Sequence, residues 1–95
     1  MITLVIHPID TEKHPTVPPG WRWAVMVGDG PYDDMNRCAE ARYNPTEAEA
    51  DLEGEMVAVA VVKALRIAGL PAGCRTEHLD HDPIPAGGDH ISIGG

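Results

Sequence analysis

Side chains able to ligate a metal gather in one stretch, where His78, Asp80, His81 and Asp82 follow closely on one another and His90 lies further on. Zinc accepts imidazole and carboxylate donors, so two histidines beside an aspartate could supply three ligands. The spacing matches no established zinc pattern: there is no HExxH, no paired cysteine, and proline and glycine flank the segment. A solvated polar loop is the competing reading. Nucleophilic chemistry needs a hydroxyl, thiol or amine beside an orienting base. The single serine, Ser92, stands next to the C-terminal end, and Cys38 lies near Glu40 with no evident cation to lower its thiol pKa. Gly28-Asp29-Gly30 is not a GxGxxG loop and opens no helix, so it reads as a hairpin turn and not a phosphate cradle. No catalytic residue and no cofactor are indicated.

Positioning any of these groups falls to a chain of 95 residues. That length supports one domain, which buries only about 60–65 % of the surface its unfolded form exposes. With two Trp, two Tyr and no Phe, aliphatic side chains must fill most of the interior. Fifteen acidic against seven basic residues give a formal charge of -8, which repels phosphate backbones and disfavours nucleic-acid binding. The carboxylates fall in two groups. Asp29, Asp33 and Asp34 share a loop, and Glu47, Glu49, Asp51, Glu53 and Glu55 open a predicted helix. Such a surface solubilises, and it also attracts a basic partner. The two cysteines, Cys38 and Cys74, have no CxxC spacing and read as free thiols of a reducing cytoplasm. The opening MITLVIHPID lacks a basic n-region and a cleavage site, and no apolar run approaches the ~20 residues that span a bilayer, so a cytoplasmic protein without membrane contact is expected.

Alternation of apolar residues predicts a first strand over residues 2–9, with Ile2, Leu4 and Ile6 on one face and Thr3, Val5 and His7 on the other. A proline-rich loop covers 10–20. The second strand, 21–28, sets Trp21, Trp23, Val25 and Val27 against Arg22, Ala24 and Met26. The tryptophans share a face with valines, which places them in the core and not on a base-stacking platform. A third strand is expected over about 36–43, and Cys74 to Leu79 forms a possible short fourth. The opposite sheet face, with Arg22, Met26, Cys38, Glu40 and Arg42 around Val5 and Ala24, reads as an open mixed patch.

Thr46 as N-cap, with Glu49 three residues on, closes a capping box, while Gly69 and Pro71 end the helix, predicting it over 47–68. Its winding gives two apolar stripes. Leu52, Met56, Val59, Ala60 and Ile67 are expected to face the sheet. Val57, Ala58, Val61, Val62 and Leu65 are then left for a partner or for the chain's own tail. The expected architecture is an α+β fold: a three-stranded antiparallel sheet, with a possible short fourth strand, packed on one long helix. A single domain would cover 1–79, followed by a Gly/Pro-rich, partly ordered tail over 80–95.

The runs GWRWAVMVGDG and NRCAEARYNPTEAEADLEGEMVAVAVVKALRIAGL resemble the strand-hairpin-strand-helix core of small uncharacterised proteins from actinobacterial phages. In element order the chain is also similar to double-stranded-RNA-binding-like β-β-β-α modules, including the HicB-like antitoxins. The resemblance covers roughly residues 1–70 and carries over no functional residue. It implies a phage-type accessory factor in a host bacterial cytoplasm. The leading reading is a non-catalytic protein-binding domain, contacting a protein partner or a second copy as a homodimer through Val57, Val61, Val62 and Leu65, or through Asp29, Asp33 and Asp34. A sharper form is a DNA mimic, which requires the carboxylates to line one continuous face. The alternatives are a small metal-dependent enzyme built on the cluster at 78–82 and a structural homo-oligomer.

Overall fold

In the computed structural model, which describes residues 1–28 and 32–86 with the Asp34 side chain left aside, a mixed four-stranded sheet packs on one helix. The elements are β1 (Ile2–Pro8), β2 (Trp21–Val27), β3 (Arg37–Asn44), α1 (Glu47–Ile67) and β4 (Cys74–His78), with a short 3-10 turn at Asp34–Asn36. The sheet order is β3-β2-β1-β4. β1 pairs antiparallel with β2 from Ile2 opposite Val27 to Pro8 opposite Trp21, and β3 extends β2 antiparallel with irregularities around Val25. The predicted three strands and helix are thus present. The fourth strand is genuine, and it lies parallel to β1, from Ile2 opposite Cys74 to Ile6 opposite His78. Parallel pairing requires a crossover, which α1 provides.

The helix forms where its local signals place it. The Thr46 hydroxyl accepts the Glu49 N–H at 3.2 Å. At the other end Leu70 N–H bonds to Leu65 O and Gly69 N–H to Arg66 O, each at 3.0 Å, with Gly69 at φ 85°. That is a Schellman ending, and it needs the positive φ that glycine adopts without a Cβ penalty.

The orientation of α1 is the reverse of the sequence expectation. Ala50, Gly54, Ala58 and Val62 are buried, and Val57, Val61 and Leu65 pack beside them against Ile2, Leu4, Ile6, Trp23 and Val25. Val57, Val61, Val62 and Leu65 therefore contribute to the chain's own core and are not an uncovered partner face. The stripe expected to be inside lies outside, with Leu52 64 %, Met56 68 % and Val59 50 % exposed and Ile67 exposed as well. The cause is volume. The sheet already presents Leu4 and Trp23 opposite the middle of the helix, so α1 fits there only by offering the small Gly54. A Cβ on Gly54 would lie 2.6 Å from Leu4 Cδ1 and 3.0 Å from Trp23 Cβ. Trp23 is buried as expected, its indole N–H donating to Glu53 Oε1 at 2.9 Å.

The other sheet face is not open. Val5, Ala24 and Met26 form a second buried cluster under Tyr32, Ala41 and Leu79, and Thr3, His7 and Arg22 are buried beside them. Two irregular segments close this face: the loop 9–20, with Ile9 and His14 buried, and the stretch after β4, with Asp82 and Ile84 buried. Residues 80–86 are therefore packed onto the domain that the sequence reading ended at Leu79.

Candidate functional site

Asp82 is the point at which the two closing segments meet. Its Oδ2 accepts the Asp10 N–H at 2.9 Å and its Oδ1 the Ile84 N–H at 3.0 Å, while Lys13 Nζ reaches the Asp82 carbonyl. Asp10 in turn caps its own loop by accepting Glu12 N–H at 2.9 Å. Two imidazoles complete the arrangement. His7 Nδ1 lies 3.7 Å from Asp82 Oδ1 and His14 Nε2 lies 3.4 Å from Oδ2, with all three side chains essentially inaccessible. A carboxylate this deep persists only because hydrogen bonds replace its lost hydration.

The tautomers follow from the carbonyl partners. His7 Nδ1–H donates to Pro8 O at 2.9 Å, and His14 Nε2–H faces Ile84 O at 3.2 Å. His7 Nε2 is then a bare acceptor, buried and without a hydrogen-bond partner. The Tyr32 ring lies edge-on, 6.0 Å away. Burial pushes the His7 pKa below its ordinary value, more than the Pro8 carbonyl and Asp82 raise it, with Arg22 and His81 also opposing a second positive charge. The imidazole is held neutral.

A His-Asp pair becomes catalytic machinery only beside a nucleophile or a substrate-bearing cleft. The described thiols are elsewhere: Cys38 Sγ donates to Val25 O at 3.4 Å, and burial raises its pKa, the opposite of thiolate activation. Shallow clefts of about 470 and 480 Å³ flank the strap that residues 80–86 form across this sheet face, both bordered by His81 and Asp82. Within them the Asp82 carboxylate is already occupied by backbone donors. The cluster's observable work is to fasten 80–86 to β1 and the 9–20 loop.

The metal-ligand series in the sequence is taken apart by the fold. His78 turns to the helix, with Nδ1 3.4 Å from Glu47 Oε2 and Nε2 3.2 Å from Asp51 Oδ2. Asp80 and His81 pair with each other at the exposed rim, 3.1 Å apart, and that contact lowers the Asp80 pKa. Asp82 alone turns inward, and His90 lies outside the described residues. Among the described residues no three such groups stand where they could hold a metal ion. Ser92 and Asp29 also fall outside them, and Asp33 caps the short turn by accepting Met35 N–H at 2.9 Å. The sequence reading overlooked His7 and His14. The available signal was positional: alternation placed His7 on the face of Thr3 and Val5, a buried lane if that face is covered.

The acidic residues of α1 do not make one face. At about 100° per residue, Glu47, Asp51 and Glu55 form one ridge and Glu49 and Glu53 the other. Between them runs the apolar stripe, where Leu52, Met56 and Val59 with Glu55 border a shallow concavity of about 420 Å³. Glu53 is tied to Trp23 and lies 3.7 Å from Arg42 Nε, while Asp51, one turn before Glu55 on the same ridge, raises the Glu55 pKa. Continuous phosphate-like spacing is therefore missing from the helix. Among the described residues, no helix is long and apolar enough to cross a membrane. No family model, no curated protein and no solved structure matches this chain, so its function has to be argued from its own residues.

Proposed function

We propose that this domain is a non-catalytic protein-binding module whose contact surface is the outward stripe of α1. One observation carries the reading: Leu52, Met56 and Val59 stand at least half exposed in a row on a rigid helix, although the same helix has a complete apolar face against the sheet. Scattered surface leucines need no explanation, but a contiguous apolar row rimmed by carboxylates has the anatomy of an interface core and its polar rim. The polar groups best able to do chemistry support the same reading, because Asp82, His7 and His14 are engaged by backbone groups inside the fold. The test is affinity capture from lysate of the source cells with wild-type and Met56→Asp bait. A defined protein retained by the wild type and by a Met35→Asp control, and lost with Met56→Asp, is the expected result. Equal retention by all three baits would remove the stripe from the interaction.

A further inference from the structure

Resting on that reading of the helix surface, we infer that the occupant of the outward stripe is a second copy of this chain, docked antiparallel, α1 against α1. The stripe is nearly symmetric about the Val59-Ala60 step. In an antiparallel pair centred there, Leu52 of one copy falls opposite Ile67 of the second, Met56 opposite the aliphatic stem of Lys63, and Val59 opposite Ala60. Exposed apolar side chains at both ends of the helix, Leu52 and the almost fully exposed Ile67, thus meet each other.

Charge points to the same alignment. The N-terminal half of α1 carries Glu47, Glu49, Asp51, Glu53 and Glu55, and its C-terminal half carries Lys63 and Arg66. A parallel pair would set acidic half against acidic half, whereas the antiparallel pair sets each against the basic half of the other copy. A two-fold antiparallel pair also keeps each helix flank facing the same flank of its mate. Glu55 and Arg66 share a flank, so they become neighbours across the interface. There the Arg66 guanidinium, whose Nε donates to Ala72 O in its own chain, adds a cation to an acidic ridge on which His78 is the neighbour of Glu47 and Asp51. With a chain charge of -8, copies repel in any docking that does not segregate charge in this way. One helix pair lies at or below the ~1,200 Å² lower limit of standard interfaces, so the dimer should come apart on dilution.

The test is the concentration dependence of mass in sedimentation equilibrium on the full chain, with circular dichroism and thermal melts confirming that each exposed-site variant is folded. The expected result is a mass rising from the 10.2 kDa monomer toward twice that value through the micromolar to millimolar range, more weakly at high salt. Met56→Asp, and separately Lys63→Glu with Arg66→Glu, should weaken association at least tenfold. Orientation is read by disulfide trapping in a Cys38→Ser, Cys74→Ser background. Chains with Leu52→Cys should cross-link to chains with Ile67→Cys and not to themselves. A monomer at every concentration, a dimer indifferent to Met56→Asp, or Leu52→Cys chains linking to each other would each overturn the proposal. The reading of the stripe as a protein-binding surface fails separately, when wild-type and Met56→Asp baits capture the same proteins.

Discussion

The two faces of the sheet are closed by opposite means. On one, a helix lays small residues over Leu4, Ile6, Trp23 and Val25, and burial of apolar surface does the work. On the other, irregular chain covers Val5, Ala24 and Met26, and a single carboxylate ties the covering segments together. The helical face distributes its stabilisation over many weak, non-directional contacts. The strap face concentrates it in a few directional bonds that must all be made, because an unmade bond leaves a buried polar group.

This contrast can be broken from either side. Leu4→Ala leaves a cavity beneath Gly54 and Trp23, and a loss of about 2–5 kcal/mol is expected in urea unfolding, with the secondary structure retained. Asp82→Ala strands the Asp10 and Ile84 N–H groups and should cost about 2–4 kcal/mol, with earlier amide exchange at those two positions than in the sheet. Asp82→Asn should fall between Asp82→Ala and the wild type. If Asp82→Ala opened β1 and α1 as early as the strap, the two faces would be one cooperative unit. Gly54→Ala tests the helix side more gently: better helix propensity contributes about 1 kcal/mol, but the new methyl presses on Leu4 and Trp23, and a net loss of about 1–2 kcal/mol is expected in thermal melts.

The smallest effect is set by pH and belongs to the strap face alone. His7 has its folded-state pKa lowered by burial, so the unfolded chain takes up a proton near pH 6.5 that the folded chain refuses. Its contribution is intact above that value and is lost as pH falls below it, at no more than about 1.4 kcal/mol per pH unit for one proton. Stability measured from pH 8 to pH 5 should decline in this window, and His7→Gln should flatten the decline. A slope unchanged by that substitution would assign the acid sensitivity to other groups.

Much of the fold was legible because its signals are short-range. Alternation in β1 and β2, the Thr46-Glu49 box and the Gly69 ending each depend on residues within a turn or two, and the structure has all of them. The candidate site was legible only in part. The run from His78 to Asp82 stood out by composition, but the end of β4 sends His78 to the helix, and the irregular chain after it sends Asp80 and His81 to the rim and Asp82 inward. Its true companions, His7 and His14, are some seventy residues away, and no periodicity links them to Asp82.

The sequence by itself determined β1, β2, β3 and α1 and nearly where they begin and end, since hydrogen-bonding and capping geometry are settled among neighbours in the chain, whereas β4 stayed a possibility until its parallel pairing with β1 was seen. It also determined that α1 has two apolar stripes. Which stripe turns inward was decided by tertiary structure, because the outcome depends on the volume that Leu4 and Trp23 already occupy opposite Gly54. Tertiary structure likewise decided that the second sheet face is covered, by bringing one carboxylate from beyond β4 to backbone donors near the start of the chain.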